Sequence, residues 1–79
     1  MEIGPSFGAW VKLRRRTLRL TQQELAGQVG CSGELIRKIE ADARRPSTIV
    51  AERLARFLQV PEQQHAVFVK VARADLRTD

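Results

Sequence analysis

Ser32, Glu34, Arg37 and Lys38 place a hydroxyl, a carboxylate, a guanidinium and an ammonium group within one short stretch of the chain. These are groups that pair with the edges of nucleic-acid bases. Arg and Lys donate to guanine O6 or N7, Glu accepts from the cytosine amino group, and Ser serves either kind of edge. On a helical wheel of about 100° per residue, Gly33, Glu34, Arg37, Lys38 and Ala41 share an arc of about 140°. Leu35, Ile36 and Ile39 lie on the opposite arc. One side is an apolar anchor and the other offers polar contacts. The flanking groups suit phosphate: the amide of Gln22, the backbone at Gly33, and the guanidinium groups of Arg44 and Arg45.

Such a helix must be positioned, and the punctuation around it shows how. Thr21 and Glu24 have the spacing of a capping box, so a helix is expected to begin at Gln22. It is expected to stop near Val29, because Gly30 can take the left-handed conformation that ends a helix. Ser32 then caps the next helix. Two helices joined by so short a turn must cross closely, which asks for a small residue such as Ala26.

Ala26, Gly30, Ile36 and Ile39, at these mutual spacings between Gln22 and Ala41, resemble the signature of the Cro/repressor-type (XRE) helix-turn-helix DNA-binding family. The likeness runs from about Phe7 to Val60, through LRLTQQELA, IRKIEADARRPS and LARFLQV. It implies an all-α, lambda-repressor-like bundle of about five helices, with the helix-turn-helix at about 22–41. It also implies sequence-specific binding of double-stranded DNA in transcriptional regulation, with the third helix in the major groove and the protein in the cytoplasm, on the nucleoid. Arg15 and Glu40 match family positions that often form an ion pair, and Gln22 matches the family's phosphate-binding glutamine. The loop carrying Arg44 and Arg45 resembles one that contacts the DNA backbone. The chain departs from the family at Gly33, where a glutamine or other polar side chain is common. It departs again at Cys31, where valine or threonine is usual, and at Gln59, where glycine is usual.

Composition sets the outer limits. Seventy-nine residues make one domain, 1–79, with 1–5 as a loose lead-in and 61–77 as an additional C-terminal helix after the family-like core. With 43% hydrophobic residues the chain is globular. Fourteen Lys and Arg against nine Asp and Glu give a net charge of +5, which favours a polyanionic partner. One His, one Cys and no Tyr leave no metal pair and no catalytic constellation, so neither an enzyme nor a metal, cofactor or small-molecule site is expected. No apolar run approaches the ~20 residues that span a membrane. Cys31 packs as a small apolar residue, and a lone cysteine fits a reducing compartment.

The rest of the chain reads as packing elements. Phe7, Val11 and Leu18, with Trp10 and Leu13 beside them, give a first helix an apolar stripe, and the interleaved Lys12, Arg14, Arg16 and Arg19 are either a solvated face or phosphate contacts. Pro46 and Ser47 open a fourth helix, whose inner face is Ile49 or Val50, then Ala51, Leu54, Phe57 and Leu58. Pro61 and Glu62 suit the first turn of a fifth. Residues 66–72 alternate like a strand, but no second strand exists to pair with, so helix is expected. Two stripes result, one through Gln64, Val67, Phe68 and Val71 and one through Ala66, Val69, Ala72 and Leu76. The second is either a wide core-facing surface or a face, with Val69 and Leu76 at its centre, for a second copy or a tethered partner domain. An interaction or adaptor module built on the same helices, possibly part of a larger regulator, is the alternative function. It would use Val69 and Leu76 rather than Lys38.

Overall fold

The computed structural model describes residues 6–74. They form five α-helices: α1 (Phe7–Thr17), α2 (Gln22–Val29), α3 (Gly33–Glu40), α4 (Thr48–Phe57) and α5 (His65–Arg73), with a 3-10 turn over Glu62–Gln64. No strand occurs among the described residues, so 66–72 is helical. The lead-in over 1–5 and Leu76 lie outside the described residues.

Local chemistry starts and stops these helices. Hydroxyl oxygens of Ser6, Thr21, Ser32 and Ser47 each accept from the backbone N–H three residues on, at 3.0 to 3.2 Å. Glu24 completes the capping box by accepting from the Thr21 N–H at 2.8 Å. At the other ends, Gly30 closes α2 with φ 85°, and Arg19, Asp42 and Gln59 close α1, α3 and α4 with φ near 60°. In each of those three turns the following N–H reaches back five residues, from Leu20 to Arg15, Ala43 to Lys38 and Val60 to Ala55. The left-handed conformation costs about 1–2 kcal/mol in a residue with a Cβ. The departure from glycine at Gln59 therefore changes strain and not topology.

The core is assembled around Phe68, which packs its ring against Phe7 at 5.3 Å and Trp10 at 5.5 Å between centroids. Val11, Leu25, Ala26, Val29, Ile36, Ile39, Ala51, Leu54, Ala55 and Leu58 complete it, and Leu35 packs against its edge. Two expectations are corrected, and the choice between Ile49 and Val50 is resolved, by where neighbouring helices lie. Leu13 is 67% exposed, because on α1 it sits about 200° from the fully buried Val11. Ile49 is 61% exposed and Val50 takes the inner place on α4. On α5 the two expected stripes merge into one arc centred on Phe68 and Ala72, flanked by Val69 and Val71, while Val67 faces outward. Val69 is partly buried against this domain's own core, as the core-facing alternative expects. α5 spans His65–Arg73 and so does not begin at Pro61, and the last residues of the expected 61–77 helix lie outside the described residues. The 3-10 turn precedes it, and after Arg73 the chain turns extended at Ala74, with the Arg73 carbonyl accepting from Arg45 at 3.3 Å.

Two contacts fix α1 against α3. Gly8 passes so close to the end of α3 that an added Cβ would overlap the carbonyl oxygens of Ile39 and Glu40. Its N–H donates to Asp42 Oδ1 at 2.9 Å, so Asp42 supplies negative charge to a helix start that has no acidic residue of its own. Further along α1, Arg15 grips Glu40 with two bonds, Nε to Oε2 at 2.6 Å and Nη2 to Oε1 at 3.2 Å. Arg15 Nη1 donates to the Leu20 carbonyl at 2.7 Å, and Gln22 Nε2 donates to Glu40 Oε1 at 2.9 Å. The Arg15 and Glu40 side chains are 10% and 3% exposed. Removing one partner strands a buried charge, which costs about 3–5 kcal/mol, against a total near 4–12 kcal/mol for a domain of this length. Glu40→Ala is therefore expected to lower the unfolding free energy in urea by about 3 kcal/mol or more. A loss under about 0.5 kcal/mol would show that the pair is solvated.

Candidate nucleic-acid interface

With Ile36 and Ile39 buried, α3 turns Glu34 and Arg37 into solvent and leaves Lys38 partly exposed. Ser32, exposed at the start of this helix, uses its oxygen to cap it, accepting from the Leu35 N–H at 3.1 Å, and keeps its hydroxyl hydrogen to donate. Arg44 and Arg45 follow in the loop before α4, both exposed. The candidate readers and the candidate loop arginines thus come from one continuous stretch around α3.

Within that stretch the charges are already engaged with one another. Arg37 donates from Nε to Glu34 Oε1 at 3.0 Å and from Nη2 to Oε2 at 2.5 Å, and Lys38 Nζ lies 3.9 Å from Glu34 Oε2. The three residues together carry a net charge of +1 rather than two free cations. The hydrogen bond from Arg37, aided by the charges of Arg37 and Lys38, pulls the Glu34 carboxyl below its ordinary value near 4.5. The same bond holds the Arg37 guanidinium above its ordinary range.

Gln22 is placed differently from the expectation of a purely outward phosphate contact. Its side chain is turned onto Glu40, so one amide hydrogen belongs to the buried network. The capping box takes the N–H groups of Thr21 and Glu24, leaving the backbone N–H groups of Gln22 and Gln23 at the positive end of α2. That end still suits a phosphate, through backbone more than side chain.

Sequence reasoning missed Gln23. It is exposed, and a Cβ built at Gly33 would meet its Oε1 at 2.5 Å and its Cδ at 3.5 Å, so its carboxamide lies across the start of α3. The available signal was Gly33 itself, since a helix start without a side chain leaves room for a neighbour. Sequence reasoning also missed how many arginines bond to backbone carbonyls at helix ends and in loops. Arg14 donates to the Leu58 carbonyl at 2.8 Å, Arg53 to Val29 at 3.1 Å and Arg73 to Pro46 at 2.9 Å. Part of the basic excess is thus structural, while Lys12, Arg16 and Arg19 remain exposed. Cys31 packs against the core in the turn, where burial pushes its thiol up and away from reactivity.

The Glu34–Arg37 pair has a pH signature. A depressed carboxyl contributes fully above its ordinary value near 4.5 and loses its contribution as pH falls through the lowered value. The raised Arg37 loses its contribution only as pH rises through the guanidinium range. The pair is thus intact at neutral pH. In an NMR titration Arg37→Ala is expected to raise the midpoint of the Glu34 carboxyl. A midpoint unchanged by that substitution would mean that the pair does not persist in solution.

Searches of the curated proteins and of the solved structures gave no match. A family model described as a helix-turn-helix domain matches residues 6–68, a span that covers α1 through the first turn of α5 and includes every reader and flanking residue placed above. The capped pair α2–α3, the left-handed Gly30 between them and the outward polar side of α3 are the parts from which such a domain is made, and the chain belongs to the helix-turn-helix domain family, an architecture that binds DNA.

Proposed function

We propose that this domain binds specific sequences of double-stranded DNA in transcriptional regulation, with α3 entering the major groove and α2 lying across the sugar-phosphate backbone. The observation that carries this reading is the two-sidedness of α3. Ile36 and Ile39 are buried, so Glu34, Arg37 and Lys38 are held outward on one short rigid helix. Lys38 donates to guanine, Arg37 does so with a bidentate fork, and Glu34 accepts from cytosine. Ser32 reaches a base edge at the start of the helix. Backbone N–H groups at Gln22 and Gly33, with Arg44 and Arg45, hold phosphates and fix the register.

The Glu34–Arg37 pair sharpens this reading. A paired Arg37 gives less attraction for an arbitrary duplex, and it is released only where a guanine and a cytosine amino group are both within reach. Specificity gains at the expense of non-specific affinity. With so few cations free, one domain covers few phosphates. Binding as a pair on two half-sites, or tethered within a larger regulator, supplies the remaining affinity. A protein acting this way works on the nucleoid in the cytoplasm, and the reading needs no cofactor.

Selection from random duplexes by the purified domain, followed by affinity measurements over a salt series, tests the proposal. A defined motif is expected, with affinity falling steeply with salt at a slope of about −0.9 for each phosphate held. Arg44→Ala is expected to reduce that slope by about one contact and leave the motif unchanged. Lys38→Ala is expected to weaken the selected site about tenfold or more and relax one guanine position. The proposal fails if no duplex is retained at low ionic strength even when two copies are joined by a flexible linker.

A further inference from the structure

Gly33 leaves the first position of α3 without a side chain, and a glutamine from the neighbouring helix occupies the space. A Cβ at Gly33 would stand 3.8 Å from the Cα of Gln23 as well as 2.5 Å from its Oε1. The two helices therefore approach closely here, with only the Gln23 side chain beside the bare Gly33 backbone. The Gln23 side chain runs directly alongside the start of α3.

Its carboxamide also makes no hydrogen bond among the described residues. The neighbouring bonds run from Gln22 to Glu40 and between Thr21 and Glu24, bypassing Gln23, whose side chain is exposed. Adjacent glutamines thus have opposite assignments. Gln22 is tied inward to the clamp and Gln23 lies outward across the reading helix.

The chemistry of the outward face leaves a gap that this group fits. Arg37 and Lys38 are donors suited to guanine, and Glu34 is an acceptor suited to cytosine. None of the three offers the donor and acceptor together that pair bidentately with adenine N7 and N6. A carboxamide does.

We propose that Gln23 is a base-reading residue, its carboxamide laid across Gly33 to take the place in the major groove that a side chain at the first position of α3 would hold, and that it reads the adenine of an A·T pair. This rests on α3 being the groove-facing helix. Gly33 is then a specificity residue in its own right. A Cβ there displaces the flexible end of Gln23 and not any backbone, so the fold survives while the reading geometry is lost.

Duplex selection with the full chain tests this, using the parent, Gln23→Ala, Gly33→Ala and the double variant Gln23→Ala with Gly33→Gln. The parent is expected to show an A·T preference at one position next to those read by α3. Gln23→Ala and Gly33→Ala should each reduce that preference by about fivefold or more at the same position, leaving the others unchanged. The double variant, which moves the carboxamide onto α3 itself, should restore it. If the parent selects a motif and Gln23→Ala leaves every position unchanged, or weakens all sequences alike as a phosphate contact would, the inference is overturned while DNA binding stands. If the parent enriches no sequence at all, the reading of α3 fails, and this inference with it.

Discussion

The buried contact between Arg15 and Glu40 governs what the rest of the molecule can do. Glu40 is the last residue of α3, and its carboxylate is held by the Arg15 fork from α1 and by the Gln22 amide from the first turn of α2. Three helices meet at one carboxylate. Apolar burial of Ile36 and Ile39 sets which side of α3 faces inward, but apolar contacts slide and are not directional. Hydrogen bonds at 2.6 to 3.2 Å set the axial position and tilt. A buried ion pair is a weak contributor to net stability compared with apolar residues of the same volume, and its better use is to fix register. At this site register is what a reading helix requires.

The remaining charges divide by the same logic. Arg14 and Arg53 close the ends of α4 and α2, and Arg45 and Arg73 tie the loop after α3 to the end of α5. Each sits where the negative end of a helix or a bare carbonyl would otherwise be unpartnered. A net charge of +5 thus overstates the attraction available to a polyanion. On α3 itself Glu34 pairs with Arg37 and lies near Lys38, so these three residues together carry one net positive charge.

How much of this was legible in the sequence depended on the range of the interaction. Helix starts at Gln22, Gly33 and Thr48 follow from a hydroxyl and an N–H three residues apart, and all were readable. The division of α3 into two sides was readable for the same reason. Leu13, Ile49 and the split of α5 were not, because periodicity shows that a helix has an apolar side but not where its neighbours stand. Gly8 was unreadable because its role depends on a crossing with residues more than thirty positions away. The Glu34–Arg37 pair was visible as a three-residue spacing. Spacing alone does not show whether such a pair closes on itself or faces a ligand. The placement of Gln23 beside Gly33 was not readable, because it depends on how closely α2 and α3 approach.

The most direct measurement is an amide chemical-shift map of the isotopically labelled domain on titration with its selected duplex at low ionic strength. Presentation of α3 by the Arg15–Glu40 clamp requires the large changes to fall on the start of α2, on Ser32 through Lys38, and on Arg44 and Arg45. The outward sides of α4 and α5, including Ile49 and Val67, should stay still. Changes concentrated on α4 and α5 with α3 unmoved would contradict it.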